Sequence, residues 1–71
     1  MSIGVDLTEE DLQAIQKLYR VRWTAEIKNW KERDTDFCLW LVNCPNEHNE
    51  IMTETGHSLA EVIDAILQRV F

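Results

Sequence analysis

The stretch from Phe37 to Cys44 constrains the fold most, because it is the most apolar run in the chain. Acidic and polar residues precede it and Pro45 follows it, which is typical of a short buried strand between turns. Alternate side chains of a strand point to opposite faces, and here both faces are apolar, so we expect cover from two sides. One face would carry Phe37, Leu39 and Leu41, and the other Cys38, Trp40, Val42 and Cys44.

Two segments have the spacing of amphipathic helices. Thr8 opens the first, since its hydroxyl can cap free amides and acidic residues follow it, where the helix dipole favours them. Apolar residues then recur every three or four positions, which predicts a helix over about residues 9–20. Ser58 and Glu61 have the spacing of a capping box, and the apolar pattern that follows predicts a helix over about residues 59–70.

The segment after the first helix has two interpretations. Alternation between Val21 and Lys28 favours a strand over about residues 21–29, whereas Tyr19, Trp23, Ile27 and Trp30 also fit a helix that continues to about Arg33. We favour the strand, because a strand at about 37–44 needs a neighbour for its backbone amides. A third strand is predicted at about 51–55, after a polar turn.

The chain of 71 residues is therefore predicted to form one α+β domain of two layers, in the order helix, three antiparallel strands, helix. The reverse face of the sheet would carry Trp40, Val42 and Met52, with Trp30 near its edge; either the first helix covers it or it is exposed. The face toward the last helix would carry Val21, Trp23, Ala25, Ile27, Phe37, Leu39, Leu41 and Ile51.

An exposed reverse face would have the composition of a protein-binding site, because aromatic residues and Met are enriched there. The net charge is −6, and residues 34–68 hold seven acids and no Lys or Arg. This distribution favours a partner with a basic surface, although a solvated acidic exterior is the simpler explanation. The residues predicted to bind a partner are Trp30, Asp34, Asp36, Trp40, Val42, Met52 and Glu54.

No catalytic, metal or cofactor site is predicted. Cys38, Cys44, His48 and His57 do not have the paired spacing of zinc ligands, and no Gly-rich phosphate loop is present. The cysteines lie too far apart along one strand to form a disulfide, so we expect free thiols. No apolar run is long enough to span a membrane and no signal peptide is recognisable, so we expect a cytoplasmic protein.

Residues 51–62 also fit a helix-turn-helix, with Gly56 in the turn and Ser58 at the start of a recognition helix. Glu61 and Asp64 on that helix, without a nearby base, argue against phosphate binding. The junction of residues 56–61 is similar to that of small antitoxins of the HicB type, in which a strand ends in Gly, a polar residue and Ser or Thr before an amphipathic helix. The first helix and the turn at residues 45–50 depart from that pattern.

These observations predict a small, acidic, non-enzymatic protein that acts by binding another protein, with a homodimer as one form. By analogy of size and charge, it would be an inhibitor or antitoxin-like regulator, comparable to phage anti-defence proteins or bacterial accessory proteins. The alternative is a DNA-binding regulator that uses the C-terminal helix-turn-helix or the basic segment from Lys17 to Arg33.

Overall fold

The computed structural model describes residues 7–32 and 38–70. It confirms the predicted α+β fold of helix, three-stranded antiparallel sheet and helix. The predicted binding residues Asp34 and Asp36, together with Phe37, lie outside the described residues. In chain order, the elements are α1 (Glu9–Val21), β1 (Glu26–Lys31), β2 (Cys38–Pro45), β3 (Ile51–Gly56) and α2 (Leu59–Val70).

Helix α1 begins with the cap that the sequence predicts. The Thr8 hydroxyl accepts a hydrogen bond from the Asp11 amide at 3.2 Å, and the Asp11 carboxylate accepts one from the Thr8 amide at 3.1 Å. The helix ends at Val21, because Arg22 turns to an extended conformation with φ −143° and ψ 96°. The alternative in which this helix continues to about Arg33 is therefore wrong.

The sheet has the order β1-β2-β3, with β2 in the centre and antiparallel to both neighbours. The first strand begins at Glu26 rather than at about residue 21, because a turn closed by the Ala25 amide and the Arg22 carbonyl, 3.1 Å apart, separates it from α1. Val42 stands opposite Ile27 of β1 and Glu54 of β3. Directly opposed residues share one face of a sheet, so this register determines which side chains lie together.

Both helices lie on the same side of the sheet. Helix α2 packs on β2 and β3, and α1 packs on α2. Leu18 of α1 is fully buried in the same cluster as Val42, which joins the helix layer and the sheet in one core. That core consists of Leu18, Ala25, Val42, Cys44, Leu59, Val62, Ile63, Ile66, Leu67 and Val70.

Candidate interaction surface

The face of the sheet that carries Trp40, Val42 and Met52 is the inner one. Val42 has no solvent exposure, and Trp40 and Met52 pack against the buried core. Helix α2, and not α1, covers this face through its contacts with β2 and β3, and Trp40 and Met52 are half-buried. The prediction that Trp40, Val42 and Met52 form an exposed binding face is wrong.

The set of residues predicted to meet the last helix is only partly right. Ala25 is buried, and Ile27 and Val21 pack against the core. In contrast, Trp23 is 81% exposed and Ile51 is 64% exposed. Leu39 and Leu41 are also misassigned, because they alternate with Trp40 and Val42 along β2 and point away from the helices.

Among the described residues, the one helix that contacts the sheet is α2, on the inner face. The opposite face carries the other set of alternate side chains. Its rows follow from the register: Trp30 lies opposite Leu39, and Lys28 lies opposite Leu41. Trp30 is 69% exposed, and Leu39 and Leu41 are half-buried. We call this surface the outer sheet face, and it consists of Glu26, Lys28, Trp30, Leu39, Leu41, Asn43, Pro45, Ile51, Thr53 and Thr55.

Polar groups on the outer sheet face are partly fixed by contacts between strands. The Thr53 hydroxyl donates to the Asn43 side-chain oxygen at 2.7 Å, which links β2 to β3. From the inner side of the sheet, where Asn29 stands opposite Trp40, the Asn29 side-chain nitrogen donates to the Leu39 carbonyl at 3.3 Å and links β1 to β2. These contacts hold the three strands in register beneath the exposed apolar side chains, so a partner would meet a surface that is already formed.

Of the residues predicted to bind a partner, only Trp30 lies on the outer sheet face within residues 7–32 and 38–70. Glu54 lies on the inner side, opposite Val42, and forms an ion pair with Arg69 of α2. Arg69 also donates to the Thr53 carbonyl at 3.5 Å. Glu54 therefore contributes to the attachment of α2 to β3 and does not face an incoming protein at the outer sheet face.

A cavity of about 470 Å³ opens between the first turns of the two helices. Asp11, Lys31, Cys38, Trp40 and His57 are among the side chains around it. The His57 Nδ1 atom lies 2.7 Å from the Cys38 carbonyl oxygen. Acidic and basic groups both line this cavity, so its charge does not select a ligand.

The thiols and histidines of the described residues do not gather into a metal site. Cys38 and Cys44 are free thiols, as predicted. Burial raises the pKa of the Cys44 thiol, and the nearby Arg22 lowers it by less, so Cys44 stays protonated at neutral pH. His48 is exposed and lies 3.6 Å from the Glu47 carboxylate. No three His, Cys, Asp or Glu side chains cluster as metal ligands in residues 7–32 and 38–70.

The C-terminal segment does not form the predicted helix-turn-helix, because residues 51–56 form strand β3. No helix within the described ranges is long and apolar enough to cross a membrane.

Comparison of the chain with protein-family models, with curated proteins and with solved structures found no match.

Proposed function

We propose that this protein is non-enzymatic and acts by binding another protein through the outer sheet face. One observation supports the proposal: α2 packs against the opposite face and α1 packs on α2, which leaves Trp30 69% exposed beside Leu39 and Leu41. Trp is enriched at the centres of protein interfaces, where it buries a large area at small cost in side-chain entropy. An antiparallel sheet with one solvated face usually alternates apolar and polar residues, so this apolar row calls for a partner.

The charge of the outer sheet face argues against nucleic acid as that partner. Among the strand residues that the structure describes, Lys28 is the only cation on this face, and Glu26 lies on the same strand and the same side. Proteins that bind duplex DNA commonly contact on the order of 6–10 phosphates with cationic groups. A single Lys beside a Glu cannot supply such an interaction.

The predicted basic partner fits a different part of the surface. The charges of Glu26 and Lys28 cancel on the outer sheet face. In contrast, the helix layer exposes acids such as Glu9 and Glu10 of α1 and Glu61 of α2. A basic partner would be attracted to the helix layer and would reach the outer sheet face only by extending around the molecule. The inhibitor or antitoxin-like role and the cytoplasmic location stay predictions.

Affinity capture from an extract of the host, with tagged variants, tests the proposal. We expect the wild type to capture a defined protein and Trp30→Glu to lose it, because a carboxylate would be buried in the contact. The matched control is Trp23→Glu, which changes a Trp that is 81% exposed and lies outside the three strands.

Because both tryptophans are exposed, we expect each variant to keep its fold. Circular dichroism of each variant verifies this. Equal capture by Trp30→Glu and the wild type would contradict the proposal. Loss of capture by Glu61→Lys alone would place the binding site on the helix layer instead.

A further inference from the structure

We infer that the occupant of the outer sheet face is a second copy of this chain. The inference rests on the proposed function and commits it to one partner. Each copy carries a net charge of −6, so two copies repel each other over most orientations. The outer sheet face is an exception, because the charges of Glu26 and Lys28, the one acid and the one base among its described strand residues, cancel. Two copies can therefore approach through this face without like-charge repulsion at the contact.

The positions of these two charges suit a symmetric contact. In a two-fold interface, residue i of one copy contacts residue j of the other, and j contacts i. Glu26 and Lys28 are neighbours on one face of β1, about 6.6 Å apart along the strand. A two-fold axis that crosses β1 midway between Glu26 and Lys28 places each Glu26 opposite Lys28 of the second copy. The same arrangement covers the half-buried Leu41 of each copy.

The size of the face sets the strength of this dimer. Three strands of about six residues, spaced about 4.8 Å apart with a rise of about 3.3 Å per residue, give a projected area of about 300 Å². A standard stable interface buries about 800 Å² on each partner. The dimer is therefore weak and reversible, with a dissociation constant in the micromolar range or above.

Sedimentation equilibrium over a range from about 1 μM to 1 mM measures this association. We expect monomer at the low end, a dimer that becomes dominant toward the high end, and loss of the dimer in Trp30→Glu. Circular dichroism shows whether that variant keeps its fold. A protein that remains monomeric throughout the range overturns the inference, and so does a dimer that Trp30→Glu leaves unchanged.

Charge exchange tests the symmetric contact more sharply. Glu26→Lys places two bases on the face of each copy, and Lys28→Glu places two acids there, so each should weaken dimerisation several-fold. The double variant Glu26→Lys with Lys28→Glu restores unlike pairs and should return the dissociation constant to within about 3-fold of the wild type. Failure of the double variant to recover contradicts the two-fold arrangement.

Glu61→Lys is the matched control for charge. It changes the net charge of the chain by the same amount as Glu26→Lys, but at an exposed position on α2. General repulsion alone would make both variants dimerise more strongly, whereas the inference predicts weakening only for Glu26→Lys.

The proposed function and this inference fail separately. A monomeric chain that still captures a different protein in a Trp30-dependent way overturns the inference and leaves the proposed function in place. A monomeric chain whose capture is unaffected by Trp30→Glu overturns both.

Discussion

The Oδ1 atom of Asp11 accepts a hydrogen bond from the backbone amide of Ala60, at 3.2 Å and across 49 positions of the chain. The Oδ2 atom of the same carboxylate accepts from the Thr8 amide. Amides at a helix N-terminus lack partners within the helix, and the helix dipole favours negative charge there. One carboxylate therefore serves the start of both helices and fixes α1 against α2.

Replacement of Asp11 should destabilise the fold more than its position in the first turn alone suggests. Asp11→Ala removes hydrogen-bond acceptors from the N-termini of both helices, and we expect a loss of about 1–2 kcal/mol in the free energy of unfolding. Asp11→Asn should lose less, because its side-chain oxygen can still accept from one amide. Urea denaturation followed by circular dichroism measures both.

Glu9→Ala is the control for this prediction. Glu9 is an exposed acid in the same turn, so its removal tests the dipole contribution, which is about 0.3–1 kcal/mol. Equal losses for Asp11→Ala and Glu9→Ala would show that the bond to Ala60 contributes nothing measurable.

The order of elements was predictable because its signals are local. Thr8 followed by acids marks a helix start, and apolar residues every three or four positions mark a buried helix face. The last helix shows this most clearly, since every apolar residue that its spacing predicts to face the core is buried. Those residues are Leu59, Val62, Ile63, Ile66, Leu67 and Val70.

The choice of sheet face was not predictable from apolar content, because both sets of alternate residues in β2 are apolar. The sequence interpretation placed Ile27 on the same face as Leu39 and Leu41, whereas the register pairs Ile27 with Val42. A shift of one residue exchanges the two faces. Asn43 was the available signal, since it is the polar side chain within β2 and shares its face with Leu41.

Adjacent truncations in β2 test which face is buried. Val42→Ala removes two methyl groups from a fully buried position, and we expect it to cost about 2–3 kcal/mol. Leu41→Ala removes a larger side chain from the outer sheet face and should cost less than about 1 kcal/mol. Chemical denaturation of the two variants at low protein concentration, where dimerisation does not contribute, gives the comparison. The reverse order would restore the face assignment made from the sequence.

A close approach between β3 and α2 makes Gly56 sensitive to substitution. A Cβ atom at this position would lie 2.8 Å from the Cγ2 atom of Val62, so one of the two elements must move. We expect Gly56→Ala to cost about 1–3 kcal/mol.

Val62→Ala removes the methyl group that the new Cβ atom would meet. The cost of Gly56→Ala should therefore be smaller when Val62 is already Ala, and a double-mutant cycle of thermal or urea unfolding measures the difference. Strict additivity of the two substitutions would mean that the strain at Gly56 has another origin.

The buried thiol of Cys44 should make stability fall at high pH. Burial raises the pKa of this thiol above its ordinary value of 9.0, despite the opposing charge of Arg22. Well below pH 9.0 the thiol is protonated in both the folded and the unfolded chain, so its full contribution to stability is present. As the pH rises further, the unfolded chain ionises first and the folded state loses stability relative to it.

Cys44→Ala isolates this effect, because the variant lacks the ionising group while Tyr and Lys residues titrate as before. The difference in free energy of unfolding between wild type and Cys44→Ala should be constant from about pH 6 to 8. Above about pH 9 the wild type should lose stability relative to the variant, by at most about 1.4 kcal/mol per pH unit. Cys38→Ser in both backgrounds excludes a contribution from the second thiol, which is only half-buried. A difference that stays constant up to about pH 10.5 would show that the Cys44 thiolate is tolerated in the folded core, against its complete burial between β2 and the helix layer.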